Sequence, residues 1–244
     1  MTEKKIQIEK KILSLQDLYC GYGTRPVLKG INFIVHKGES VLLAGPNGCG
    51  KSTLLKAIAG VVPLSSGTIS FNGAVLDHNS IEERINSGIG YLRQTGNIFP
   101  SQTVSENLRL SGLTLTTKEF SSALERVLAL FDFLRNRLED RAGTLSGGQR
   151  QALAIAMVLL HKRKLYLFDE PTAGLAPKAA RDIIERIRRF SKEDSEQSVV
   201  IVEHRLELLD WVDRAVILLQ GEVKVESEDA SQFLNPEWLA KHYF

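Results

Sequence analysis

The chain has 244 residues, of which 43% are hydrophobic and 25% are charged, and its formal net charge is +2. This length can bury one substantial core with an attached subdomain and excludes two independent full-size domains. The composition is that of a globular protein and excludes a disordered or fibrous chain. Because the chain has 31 basic and 29 acidic residues, its charge gives no argument for a nucleic-acid partner, and we expect none.

Cysteine usage and hydropathy predict where the protein works. Cys20 and Cys49 are the only cysteines, too few for a disulfide framework or a metal site, so a reducing cytosol fits best. The longest apolar run, Ala152 to Leu160, falls short of the roughly 20 residues that a membrane-spanning helix needs. The N-terminus has no signal-peptide pattern. We expect a cytoplasmic protein whose lysines at 4, 5, 10 and 11 belong to a solvated tail over residues 1–11.

The first half of the chain begins with β-type runs and continues into helices. Runs of β-formers broken by Gly, Pro and Asn predict strands over 12–19, 28–35 and 41–44. A helix follows the glycine-rich stretch 45–50 and carries an apolar face formed by Leu54, Leu55, Ile58 and Ala59. After Gln94 the helical periodicity of 104–134 predicts a helical insertion.

In the second half, strands and helices alternate. The pattern predicts a helix from Ser146 to about Leu160, a strand over 164–168, a helix over 178–190 and a strand over 199–202. A hairpin around Gln220 and Gly221 spans 215–225, and a last short helix lies near Pro236. This alternation is typical of a parallel α/β core.

The run Gly45-Pro46-Asn47-Gly48-Cys49-Gly50-Lys51-Ser52 matches the P-loop pattern between a strand and a helix. Its alternative explanation is a simple glycine-rich turn. In a P-loop the backbone N–H groups and the helix N-terminus hold phosphates. Lys51 would reach the β- and γ-phosphates of ATP, Ser52 would bind Mg²⁺, and Thr53 completes the predicted nucleotide contacts. Cys49 lies near the helix N-terminus, which predicts a lowered thiol pKa and inhibition by thiol reagents; the alternative is that this position only requires a small residue.

A second motif, Leu145-Ser146-Gly147-Gly148-Gln149, reads as a capping box in which Ser146 and Gln149 satisfy each other's backbone amides. A capping box leaves the two glycines unexplained, since each costs about 1 kcal/mol in a helix. Bare backbone at Gly147 and Gly148 suggests close approach by an anion. With this run the chain resembles the ATP-binding cassette (ABC) family over nearly its whole length.

The resemblance implies a fold, a partner and roles for further residues. It implies an α/β P-loop NTPase with a RecA-like, mostly parallel sheet, an N-terminal antiparallel β subdomain and an inserted α-helical subdomain at about 95–160, within one ATPase domain over 12–244. The signature, residues 145–149, would close over ATP held by the P-loop of a second ABC chain, either another copy or a paralogue.

The resemblance also assigns chemistry to five side chains. Asp169 would hold Mg²⁺ and Glu170 would activate the attacking water. His204 would contact the γ-phosphate, Gln94 would sense metal and water, and Tyr22 would stack on adenine. Catalysis would therefore involve Glu170, His204, Gln94 and Lys51.

One departure from the family pattern occurs at Ala176, where many members carry an aspartate, which puts dimer communication through that loop in doubt. The Gly-Leu-Ala-Pro run at 174–177 is similar to cassettes of branched-chain amino-acid importers and lipopolysaccharide exporters. The segment beginning at Glu203 is similar to energy-coupling-factor importers.

We expect a transporter subunit on the inner face of the membrane, docked to a transmembrane permease. Phe99, beside Gln94, either contacts that permease or packs on the insertion's own helices. The alternatives are a soluble cassette, such as one for iron–sulfur assembly, and a non-enzymatic scaffold. A scaffold would lack Lys51 or Glu170, and both are present.

Overall fold

The computed structural model describes residues 11–23, 25–204 and 210–227. Most of the basic tail and the helix expected near Pro236 lie outside these residues. In the part that is described, no helix is both long and apolar enough to cross a bilayer.

Ten strands and six α-helices make up the described chain. The strands are β1 (Lys11–Tyr22), β2 (Arg25–His36), β3 (Ser40–Ala44), β4 (Leu64–Phe71), β5 (Ala74–Val75), β6 (Ile89–Leu92), β7 (Leu165–Asp169), β8 (Ser198–Val202), β9 (Arg214–Leu219) and β10 (Glu222–Ser227). The helices are α1 (Lys51–Ile58), α2 (Ile81–Ser87), α3 (Val104–Ser111), α4 (Thr117–Leu130), α5 (Gly147–Leu159) and α6 (Pro177–Glu193). Two 3₁₀ helices, Asp132–Arg137 and Ala142–Thr144, lie between α4 and α5.

The strands form two sheets. An antiparallel sheet has the order β2-β1-β4-β5, and a six-stranded sheet has the order β10-β9-β3-β8-β7-β6. In the second sheet only β9 and β10 pair antiparallel, through a hairpin whose turn residues Gln220 and Gly221 both have positive φ, at 51° and 85°. Such a turn matches the twist of the flanking strands. The predicted α/β class, the antiparallel β subdomain and the parallel core are confirmed.

The parallel strands are buried on both faces. Along β7, Tyr166 and Phe168 belong to one apolar cluster, while Leu165 and Leu167 belong to the other. The first cluster joins the sheet to α5, α6 and the helical insertion, and the second joins it to α1 and the antiparallel sheet. A strand with two buried faces reads as a continuous apolar run, which is why β7 and β8 were recognisable in the sequence.

The insertion lies between β6 and β7, as expected, but its helices do not end where the helical periodicity of 104–134 predicts. The α4 helix ends at Leu130, so Phe131 caps it and Leu134 belongs to the following 3₁₀ helix. Arg186 of α6 donates a hydrogen bond to Leu130 O, and its guanidinium lies 5.5 Å from the Phe131 ring centre. This external partner for a terminal carbonyl favours ending the helix there.

Arg84 supports the helix that follows the glycine-rich loop. It is 3% exposed, and its guanidinium donates to Ala57 O at 2.7 Å and to Ile58 O at 2.9 Å, two carbonyls at the C-terminal end of α1. It also donates to Leu76 O and Asn79 O. A cation at a helix C-terminus satisfies carbonyls that have no partner within the helix and complements the helix dipole.

Replacing Arg84 with Met should lower the free energy of unfolding by on the order of 3 kcal/mol, because buried carbonyls lose their donor. Denaturant titration measures this loss. The matched control is Arg181→Met on the exposed face of α6, which should change stability by less than about 0.5 kcal/mol. Equal stabilities for the two variants would contradict the role given to Arg84.

Candidate functional site

The glycine-rich loop joins β3 to α1 and surrounds a buried cation. Gly50, with φ of 112°, is the N-cap of α1, and the left-handed region is one that a residue with a side chain rarely adopts. The Lys51 ammonium is buried and donates to Gly45 O at 2.7 Å and to Pro46 O at 3.0 Å. The first N–H groups of α1, at Lys51, Ser52 and Thr53, have no acceptor within the helix. The loop therefore offers N–H donors and positive charge to an anion.

The exposed side of the loop is formed by Pro46, Asn47 and Gly48. Gly48 has open space where a Cβ would lie. Cys49 faces inward, and its amide donates to Pro46 O at 3.3 Å. The expected cradle therefore has a solvent side on which phosphates can approach.

Asp169, the last residue of β7, lies beside Ser52. Ser52 Oγ donates to Asp169 Oδ1 at 2.8 Å, and Tyr91 OH donates to Asp169 Oδ2 at 3.4 Å. Burial raises the pKa of the Asp169 carboxyl, and the hydrogen bond from Ser52 opposes that shift. One hydroxyl and one carboxylate suit Mg²⁺, which takes few protein ligands and completes its shell with phosphate oxygens and water.

Glu170 connects two further predicted residues. Gln94 Nε2 donates to Glu170 Oε2 at 2.7 Å, and His204 Nε2 lies 3.3 Å from Glu170 Oε1. Gln94 follows β6, Glu170 follows β7 and His204 follows β8, so three adjacent strands each deliver one side chain. The structure thus brings together Lys51, Ser52, Gln94, Asp169, Glu170 and His204 at one edge of the sheet.

Tyr22 lies at the end of β1 with 52% of its surface exposed. No hydrogen bond or ring contact among the described residues joins it to the loop 45–50. An exposed aromatic face is compatible with stacking on a base. Its adenine contact stays a prediction.

The signature begins the α5 helix. Gln149 Oε1 accepts from Ser146 N at 3.0 Å and Ser146 Oγ accepts from Gln149 N at 3.4 Å, so the predicted capping box is present. A Cβ on Gly148 would lie 3.1 Å from the Ala179 Cβ, so close packing of α5 on α6 is enough to explain this glycine. At Gly147 the nearest atom would be 3.8 Å away. The argument for anion approach therefore rests on Gly147.

Within one chain the signature is not part of the site at the sheet edge. No hydrogen bond or ion pair of residues 11–23, 25–204 and 210–227 links Ser146–Gln149 to the glycine-rich loop. That a second chain supplies its signature to a nucleotide held by this loop stays a prediction.

The sequence did not point to three side chains at or near the site, those of Tyr91, Thr172 and Glu203. Tyr91 reaches Asp169 from β6, and Glu203 accepts hydrogen bonds from Thr172 N at 2.7 Å and Thr172 Oγ1 at 2.6 Å. The signal available for Tyr91 was its position three residues before Gln94 on a strand. Glu203 was visible only as the neighbour of His204.

The expected lowering of the pKa of the Cys49 thiol is wrong. Its side chain is buried, and burial raises the pKa of the thiol more strongly than Lys51, 4.0 Å away, lowers it. Burial also raises the pKa of Cys20 to about 11. Because the thiolate is the reactive form, both thiols should be inert in the native fold.

We therefore expect a chromogenic disulfide reagent at pH 8 to titrate no thiol in the native protein and both thiols in guanidinium. The measurement is the absorbance of the released thiolate against time. Rapid native labelling that a Cys49→Ala variant loses would show that the P-loop thiol is accessible after all.

The comparisons with known proteins agree with this geometry. The ABC transporter family model matches residues 28–173. The probable branched-chain amino acid transport ATP-binding protein LivF of Archaeoglobus fulgidus is 37% identical over 207 residues, which are 84% of this chain and 87% of that protein. The high-affinity branched-chain amino acid transport ATP-binding protein BraG of Pseudomonas aeruginosa is 35% identical over 227 residues, 93% of this chain and 97% of that protein.

Two solved structures are similar across most of the chain. A nucleotide-free ATP-binding cassette from an ABC transporter has a TM-score of 0.83 at 27% identity and covers 96% of this chain and 99% of its own. A dimeric cassette in a post-hydrolysis state bound to ADP and Pi has a TM-score of 0.79 at 26% identity and covers 89% and 98%. The P-loop, the acidic strand end and the capped signature helix agree with these matches. The chain therefore belongs to the ABC transporter family and is an ATP-binding and ATP-hydrolysing subunit of a transporter.

Proposed function

We propose that this chain hydrolyses Mg²⁺-ATP at a site shared by two copies, with Glu170 as the general base, and so drives a membrane permease from the cytoplasmic face. The observation that carries the proposal is the cluster of Gln94, Glu170 and His204 beside Ser52 and Asp169. The dimeric ADP-bound relative supports the shared site.

Different groups of the chain have different roles in phosphoryl transfer. The loop amides and Lys51 hold the β- and γ-phosphates, which fixes the phosphorus in line with an attacking water. Ser52 and Asp169 would hold Mg²⁺, which would supply positive charge to offset that of the phosphates. Ser146, Gly147 and Gln149 of the second copy would complete the anion site from the other side.

Glu170 is placed to take the proton of the attacking water. Its two carboxylate oxygens contact Gln94 and His204, whose side chains orient it and can also orient the water. Its side chain is 18% exposed, so water reaches it while the surrounding protein keeps the carboxylate in one place. These contacts favour catalysis over a nucleotide-binding scaffold.

The loop after Gln94 is the proposed route from chemistry to permease. Asn97 Nδ2 donates to Arg93 O at 2.6 Å and Asn97 Oδ1 accepts from Arg93 N at 3.2 Å, which closes a compact loop around Gln94. Phe99 follows it with 52% of its surface exposed. About half of its surface is therefore not packed within the insertion and is accessible to the proposed permease.

Replacing Glu170 with Gln keeps the shape of the side chain and removes the base. We expect phosphate release to fall by about 10²- to 10⁴-fold, while ATP holds the variant as a dimer on size-exclusion chromatography. The matched control is Glu185→Gln on the exposed face of α6, which should hydrolyse at the wild-type rate. Wild-type turnover by the Glu170 variant would refute the assignment of the base.

A further inference from the structure

Glu203 is a buried acid beside the proposed site that the chemistry above does not use. It is 4% exposed and follows β8, directly before His204. Its Oε1 accepts from the amide and the hydroxyl of Thr172, at 2.7 Å and 2.6 Å, and its Oε2 accepts from His204 N at 3.3 Å. The carboxylate thus joins the loop after β7 to the residue after β8.

A buried carboxylate is costly unless hydrogen bonds or a cation compensate for lost water. Among the described residues, no cationic side chain forms a hydrogen bond or an ion pair with Glu203. Its compensation comes from N–H and O–H donors on the two loops, which bind a charged acceptor more strongly than a neutral one. A neutral side chain would fit this interior position at lower cost if the position served packing alone.

The loop that Glu203 holds contains a strained backbone. Glu170 has φ of 48°, in the left-handed region that non-glycine residues seldom occupy. Such a conformation persists only where its surroundings fix it. Glu170 N donates to Val202 O at 3.0 Å, and Thr172, two residues later, is held by Glu203. Hydrogen bonds from Glu170 and from Thr172 therefore attach both ends of this turn to the end of β8.

These contacts close a ring of five residues, 170–172 and 203–204. Glu170 leads along the chain to Thr172, Thr172 bonds to Glu203, Glu203 is covalently joined to His204, and His204 Nε2 lies 3.3 Å from Glu170 Oε1. We propose that Glu203 is a positioning residue for ATP hydrolysis, which holds Glu170 in its strained conformation and in register with His204. This inference rests on the proposed role of Glu170.

The main test is Glu203→Gln, which keeps the size but turns an acceptor at His204 N into an amide donor. We expect kcat to fall by about 10-fold while KM for ATP stays within about 2-fold, because misplaced catalytic groups slow turnover and the P-loop contacts are untouched. Thr172→Val should lower kcat in the same way, and Thr172→Ser, which keeps the hydroxyl, should restore most of it. The Thr172 pair decides the question if Glu203→Gln fails to fold.

The control is Tyr166→Phe on β7, which removes a buried hydroxyl that donates to His161 O at 2.8 Å, away from the site. It should lower the melting temperature and leave kcat unchanged. The inference is overturned if Glu203→Gln keeps the wild-type kcat, or if Thr172→Ser and Thr172→Val lose turnover equally. It is also overturned if Tyr166→Phe loses as much kcat as Glu203→Gln. Failure of the proposed function is distinguishable, since Glu170→Gln would then hydrolyse ATP normally.

Discussion

The site depends on one constraint: parallel strands that pair side by side end at the same edge of the sheet. β6, β7, β8 and β3 are neighbours in one parallel arrangement, so the residues that follow them meet although they are far apart in the chain. Gln94, Glu170, His204 and the glycine-rich loop each follow one of these strands. A shift of one residue in β7 would exchange its side chains between the two apolar clusters, so core packing fixes the register of the strand and with it the geometry of the site.

The helical insertion carries the signature, the second part of the proposed ATP site. It leaves the sheet after Gln94, a residue of the site, and returns at Leu165, the first residue of β7. Arg186 ties it to α6 through Leu130 O and the Phe131 ring, and Arg126 of α4 donates to Leu159 O at 2.8 Å at the end of α5. The α5 helix, which carries the signature, packs in one apolar cluster with the sheet, α6 and the rest of the insertion.

Much of this arrangement was predictable from the sequence, because several signals are local. The spacing of Gly45 to Ser52 defines its loop, the polar end of an apolar strand marks Asp169 and Glu170, and Ser146 with Gln149 forms a capping box within four residues. What the sequence could not supply depends on contacts between strands. Tyr91 meets Asp169, and Thr172 meets Glu203, only because of strand register and side-chain rotamers. Cys49 was misjudged because a helix terminus is visible in a sequence, whereas the burial that outweighs it is not.

The central claim, a site completed by a second copy, is tested most directly by mixing two inactive variants. Lys51→Ala removes the phosphate contact of one chain, and Gly147→Asp adds a like charge to the signature of the other at a position with room for a side chain. Mixed dimers contain one site with both parts intact, so an equimolar mixture should recover roughly a quarter of the wild-type ATPase rate if the chains exchange at random. A mixture as inactive as each variant alone, with mixed dimers shown to form, would contradict the account.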